Sequence, residues 1–138
     1  YKNFPGIAEW QKTTLAFTHE TGYAETLFGR RRYLPAIRST NFQVRSAAER
    51  EAINMPIQGT AADILKRAMI DVDGALRARP TRARMILTVH DELLFECVPE
   101  QVEAVKAIAH EHMVSPWGDR TPPLAVDVGV GTNWLEAK

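Results

Sequence analysis

Two apolar runs, Met85–Val89 and Leu93–Val98, lie only three residues apart, which leaves the chain between them very little freedom. Each run is short, rich in β-branched or bulky side chains, and bounded by charge or proline, so the pair predicts a tight β-hairpin. A turn whose only task is reversal favours Asn-Gly or another glycine-containing pair. This one carries His90, Asp91 and Glu92. Those residues suit turn geometry poorly and suit a divalent cation beside a substrate well, because carboxylate oxygens are the hard ligands that magnesium and manganese prefer. The conflict between local propensity and composition marks the hairpin as the place to look for chemistry.

The flanking segments supply helices. Ile7, Trp10, Gln11, Thr14, Leu15, Phe17 and Thr18 have helical spacing, and Thr21-Gly22 reads as the C-cap. Tyr23–Leu27 and Arg31–Leu34 flank Phe28-Gly29-Arg30, a second candidate hairpin, and Pro35–Thr40 is a connector. From Asn41, an N-cap residue, helix formers dominate as far as Arg79. Ile57, Ala61, Ile64, Leu65, Ala68, Val72 and Ala75 recur at steps of three and four, which predicts a buried stripe with Asp63, Lys66, Arg67 and Asp71 off it. Pro56 interrupts the run, so the helix either kinks or restarts there. Pro80 stops it. Pro99 opens an amphipathic helix to about Met113, with Val102, Val105, Ile108, Ala109 and Met113 inward. Ser115–Pro123 is a loop, and the alternation in Leu124–Val130 predicts a strand that pairs with the hairpin. The order implies an α+β fold, with helices on one face of an antiparallel sheet.

At 138 residues and 45% hydrophobic content, the chain can bury one core and suits one compact domain or less. No apolar run approaches the roughly 18 residues of a membrane span. The start, Tyr1-Lys2-Asn3-Phe4, has no initiator Met or signal pattern and reads as the middle of a longer protein. The single cysteine, Cys97, offers neither a disulfide framework nor a Cys-rich zinc site, so a reducing, cytoplasmic setting is expected. Net charge is zero, but its distribution is uneven. Residues 30–50 hold six arginines against Glu49, a net +5, while residues 91–138 hold nine acids against three bases, a net −6. Such asymmetry suggests a phosphate-facing segment beside an acidic or metal-holding one, the plain alternative being two solvated faces.

Three constellations could carry chemistry. Asp91 and Glu92 could ligate a metal, although two-metal phosphoryl chemistry needs carboxylates from more than one chain segment; otherwise they are an exposed acidic turn. His90 could donate to a phosphate or sugar, or pack beside the turn. His110 and His112 lack a zinc-site pattern and read as surface residues. Second, Arg50, Asn54 and Gln58, at steps of four, share one side of a helix. Their donors match the purine N3 and pyrimidine O2 acceptors that the minor groove offers at every base pair, so the row could grip paired duplex without reading sequence; otherwise it is a polar helix face. Gly59 costs a helix up to about 1 kcal/mol, so something should approach the backbone closely there. Third, Gly29-Arg30-Arg31-Arg32-Tyr33 is a basic turn suited to backbone phosphates.

Together these segments resemble the C-terminal part of a family A DNA polymerase, the bacterial DNA polymerase I type. The resemblance rests on Gly22 through Tyr33 (GYAETLFGRRRY), on Ala48-Glu49-Arg50 through Asn54-Met55-Pro56-Ile57-Gln58-Gly59-Thr60-Ala61-Ala62-Asp63, on Val89-His90-Asp91-Glu92-Leu93, and on Val128 through Trp134. It implies an antiparallel palm-type sheet packed on long helices, with an N-terminal helix–hairpin fingers segment over residues 1–42 and the C-terminal part of the palm over 43–138. It implies that Asp91 is a magnesium ligand, with manganese as the substitute, that Glu92 is a supporting acid, and that His90 meets the primer terminus or its minor-groove edge. Arg50, Asn54 and Gln58 match family residues that contact primer–template DNA, and Arg30, Arg31 and Arg32 belong to the distal fingers. The implied partners are primer–template DNA, a deoxynucleoside triphosphate (dNTP) and the upstream remainder of the polymerase, with no membrane and a nucleoid-associated, cytoplasmic location.

The departures are informative. The palm motif bearing the other metal-binding aspartate, typically Asp-Tyr-Ser-Gln-Ile-Glu, is absent, and so is the fingers helix that holds the triphosphate; both are expected upstream of Tyr1. Thr88 stands where Gln is common. The expectation is therefore a polymerase fragment that is inactive by itself. Two other classes stay open: a non-catalytic DNA-binding remnant or piece of a split polymerase, and an unrelated metal-dependent phosphohydrolase using His90, Asp91 and Glu92, with Asp127 as a further ligand to check.

Overall fold

The computed structural model describes residues 3–137. Their contacts group into two compact units, one up to Asp63 and one from Ile64. The α+β expectation holds: the described residues contain three α-helices and two separate two-stranded antiparallel sheets.

In the first unit, helix α1 (Pro5–Thr21) begins with Pro5 in its first turn, where a missing N–H costs nothing, and ends at Gly22. Gly22 has φ 84 and donates its N–H to the Thr18 carbonyl, the left-handed cap that a glycine adopts without a Cβ clash. Strands β1 (Tyr23–Glu25) and β2 (Arg31–Tyr33) pair with Tyr23 opposite Tyr33 and Glu25 opposite Arg31. A short 3₁₀ turn, Pro35–Arg38, leads to helix α2 (Phe42–Ala78). Asn41 caps α2 as expected, its Oδ1 accepting the N–H groups of Gln43 at 2.9 Å and Val44 at 3.4 Å. The core joins Ala24, Leu34 and Ile37 to Ala48, Ala52 and Met55, with Leu15 and Ala36 against it.

Of the two expected alternatives at Pro56, the restart does not occur: α2 continues through Pro56, so the Ala52 carbonyl loses its usual partner four residues on. The buried stripe differs from expectation, being turned in its first half. Ala48, Ala52, Met55, Gly59, Thr60 and Asp63 are buried, whereas Ile57 and Ala61 are exposed. The β1–β2 hairpin sits on that side and supplies polar partners for Thr60 and Asp63, so polar residues occupy positions where periodicity alone called for apolar ones.

In the second unit, Val72 and Leu76 of α2 pack with Val105 and Ile108 of helix α3 (Val102–Val114), and Ala75, Ala83, Phe95, Cys97 and Met113 surround them. The inward face of α3 is thus the one its spacing predicts. Strands β3 (Arg84–Val89) and β4 (Glu92–Glu96) pair with Val89 opposite Glu92 and a β-bulge at Ile86. The turn is therefore two residues long, and Glu92 opens β4 instead of closing the turn. Leu124–Val130 is not a strand, and the hairpin forms a two-stranded sheet among the described residues. Alternation supplies a side-chain pattern but not a ladder partner, and one side of this segment is taken by the chain folding back. A Cβ on Gly129 would lie 1.8 Å from the Ala137 carbonyl oxygen, and one on Gly131 would lie 2.7 Å from the Ala137 nitrogen.

Candidate functional site

The β3–β4 hairpin carries the acidic turn. His90 and Asp91 are its two turn residues, and His90 has φ 53, the one positive φ at a non-glycine among the described residues. Positive φ at the first turn residue alone is the sign pattern of a type II′ turn, which ordinarily takes glycine there. For a histidine the left-handed region costs about 1–2 kcal/mol. Such strain is found where the side chain's placement is worth more than local comfort. Asp91 and Glu92 are both exposed. The Asp91 carboxylate makes no hydrogen bond or ion pair among the described residues, whereas Glu92 Oε2 accepts a hydrogen bond from Trp134 Nε1 at 3.3 Å. No group of three or more His, Cys, Asp or Glu side chains converges as a metal cage among the described residues.

Arg50, Asn54 and Gln58 all lie exposed on α2. Arg50 reaches only Ser46 Oγ, one turn back, at 3.4 Å. The row is therefore a set of outward donors with little internal use.

The basic turn is differently employed. Arg30 Nε donates to Asp63 Oδ1 at 2.7 Å and its Nη2 to the Gly59 carbonyl at 3.0 Å. Arg31 pairs with Glu25 at 2.6 Å and Arg32 with Glu51 at 2.7 Å. The hydrogen bond that Arg31 donates to the Glu25 carboxylate, reinforced by Tyr23 beneath it, raises the Arg31 pKa above its ordinary value. All three side chains stay about half exposed, at 46%, 50% and 56%. Gly59 is explained by the same contact. A Cβ there would lie 2.7 Å from Thr26 Cγ2 and 3.3 Å from Arg30 Nη2, so the close approach expected at this glycine is made by the chain's own hairpin.

Sequence reasoning missed two arrangements. The Arg30–Asp63 brace spans 33 residues, and no local pattern announces it. The turn around Trp134 did leave a signal. Asn133 followed three residues later by Glu136 is a capping-box spacing, and the structure closes it: Asn133 Oδ1 accepts the Glu136 N–H at 3.1 Å, and Glu136 accepts from Thr132 and Asn133. The Thr132 hydroxyl first, then the Thr132 N–H and the Asn133 amide, hold the Glu136 carboxyl below its usual pKa.

Comparison with known proteins follows the same residues. The model of DNA polymerase family A matches residues 1–136. DNA polymerase I of Chloroflexus aurantiacus is 46% identical over 136 residues, covering 99% of this chain and 14% of that protein. The thermostable DNA polymerase I of Thermus thermophilus is 47% identical over 138 residues (100% and 16%), and the DNA polymerase I of Pseudomonas aeruginosa is 48% identical over 137 residues (99% and 15%). The chain thus spans about a seventh of the length of these relatives. Among solved structures, the POL domain of Pol1 from M. smegmatis, in complex with DNA primer-template and dNTP, superimposes with a TM-score of 0.92 at 44% identity, covering 99% of this chain and 24% of that one. With the motifs, the fold and the whole-chain identity in agreement, the chain belongs to DNA polymerase family A.

Proposed function

We propose that this chain supplies part of the catalytic centre and DNA grip of a polymerase that performs template-directed DNA synthesis. In that reaction the primer 3′-hydroxyl attacks the α-phosphate of a deoxynucleoside triphosphate and pyrophosphate leaves. The observation that carries the reading is the strained His90-Asp91 turn, which presents an unpaired carboxylate in a chain of this family.

The residues fit a divalent cation as contributors to its site, not as a closed cage. Magnesium keeps several waters and takes one or two carboxylates plus substrate phosphates, which suits two exposed acids with no third protein ligand converging among the described residues. Asp91 and Glu92 would hold it, with manganese able to substitute. When bound, such ions lower the pKa of the attacking hydroxyl and neutralise charge that develops on phosphate. His90 would meet the primer terminus. Arg50, Asn54 and Gln58 donate hydrogen bonds to minor-groove acceptors, favouring correct pairs irrespective of sequence. Arg30, Arg31 and Arg32, half exposed, face backbone phosphates as well as their internal acids. Residues 1–42 act as distal fingers and 43–138 as palm. Catalysis on this view is positioning plus electrostatics.

In the complete polymerase bearing this segment, Asp91→Ala should abolish primer extension while leaving duplex binding largely intact. Extension that survives the substitution overturns the metal assignment. Gln58→Ala or Arg50→Ala should weaken use of the primer terminus. The isolated chain should not extend primers, because a two-metal site draws carboxylates from further segments; steady extension by the purified chain overturns that expectation.

A further inference from the structure

Glu92 begins β4, so its backbone is fixed by the ladder opposite Val89. Its side chain has several free torsions, and immobilising a glutamate costs up to about 2 kcal/mol of entropy. One contact restrains it, the hydrogen bond from Trp134 Nε1 to Oε2 at 3.3 Å, across 42 residues of sequence. An indole N–H can only donate, so it fixes which oxygen is engaged and leaves Oε1 without a protein partner among the described residues. Being neutral, it also orients the carboxylate without cancelling its charge, which a lysine or arginine would do.

Trp134 is in turn held by a closed set of bonds. Glu136 Oε2 accepts from the Thr132 N–H at 3.0 Å and the Thr132 hydroxyl at 2.6 Å, and Oε1 accepts from Asn133 Nδ2 at 2.9 Å. The Glu136 N–H donates to Asn133 Oδ1 at 3.1 Å, and the Ala137 N–H donates to the Asn133 carbonyl at 3.1 Å. The absence of side chains at Gly129 and Gly131 lets this turn pack onto the segment that precedes it.

We propose that Trp134 is a positioning residue: the folded turn of residues 132–137 acts as a strap that aims the Glu92 carboxylate while leaving Asp91 free. The inference rests on the polymerase reading of the acidic turn. The two adjacent acids then differ in kind, Asp91 adapting to what binds and Glu92 held in one direction.

The test uses the complete polymerase. Trp134→Phe removes the N–H and keeps a ring. The divalent-cation concentration for half-maximal primer extension should rise about three- to tenfold, the range set by loss of one hydrogen bond, with a smaller change in turnover at saturating cation. Glu136→Gln, which loosens the strap without touching the ring, should shift the same quantity in the same direction. A readout independent of activity is the fluorine NMR signal of a fluorinated tryptophan at 134, assigned through Trp134→Phe. It should move on Glu92→Leu and stay put on Asp91→Ala. Unchanged cation dependence in Trp134→Phe, or an indole signal blind to Glu92→Leu, overturns the strap alone. Extension that survives Asp91→Ala overturns the polymerase reading, whatever the indole shows. Should Trp134→Phe lose stability, the Glu136→Gln arm still decides.

Discussion

At φ 53, His90 occupies backbone space that glycine fills without cost. His90→Gly should remove about 1–2 kcal/mol of left-handed strain and return about 0.5–1 kcal/mol as unfolded-chain entropy. Chemical denaturation should therefore show stability held or raised by less than about 1.5 kcal/mol, while primer extension by the complete polymerase falls. A variant that loses both is a structural histidine. Two glycines of α2 make a sharper pair. A Cβ on Gly74 meets nothing within 4 Å, so Gly74→Ala should gain up to about 1 kcal/mol from helix propensity. A Cβ on Gly59 meets Thr26 Cγ2 at 2.7 Å, and Thr26 is buried, so Gly59→Ala should lose about 1–3 kcal/mol by overpacking despite the same propensity gain. Melting the two variants side by side checks the opposite signs.

At the scale of elements, what could be read in advance is what neighbours in sequence decide. The Gly22 stop, the Asn41 cap, the inward face of α3 and the β3–β4 hairpin depend on residues within a turn or a ladder rung of one another. What escaped depends on distant partners. Asp63 is only 8% exposed, because Arg30 comes to it from 33 residues away, and Ile57 is exposed for the complementary reason. Leu124–Val130 has a strand's alternation but no ladder partner among the described residues. In the acidic turn the residue types were legible, and their unequal tethering was not, since Trp134 lies 42 residues beyond Glu92. The turn that carries Trp134 has its own pH signature. The folded Glu136 carboxyl titrates below its ordinary range because Thr132 and Asn133 donate to its charged form. A depressed folded pKa contributes stability above the unfolded carboxylate range and loses it as pH falls through the folded value. Acidification should thus release the turn, seen as a shift of the Trp134 indole signal, and Glu136→Gln should abolish that acid transition.

Across the whole chain, the segregated charge of the sequence resolves into two uses that composition cannot separate. Of the six arginines in residues 30–50, five donate to acceptors elsewhere in the first unit: Arg30, Arg31 and Arg32 to Asp63, Glu25 and Glu51, Arg38 to the His19 and Glu20 carbonyls, and Arg45 to the Ser39 carbonyl. Arg38 places a cation at the C-terminus of α1, where the helix dipole favours it. Arg50 alone reaches no farther than its own helix. A basic run can therefore be spent on holding a hairpin to a helix, and its net charge says little about how much of it faces a ligand. The distinction is measurable as a crossing of two effects. Arg30→Met removes the guanidinium that donates to the buried Asp63 carboxylate and to the Gly59 carbonyl, and should cost about 1–3 kcal/mol of stability. Arg50→Ala should change stability by less than about 0.5 kcal/mol. In the complete polymerase, Arg50→Ala should weaken binding of primer–template through lost minor-groove donation, at low and high salt alike, since a neutral base edge releases no counterion. If instead its effect vanishes at high salt, Arg50 contacts phosphate, and the row on α2 grips the backbone and not the base pair.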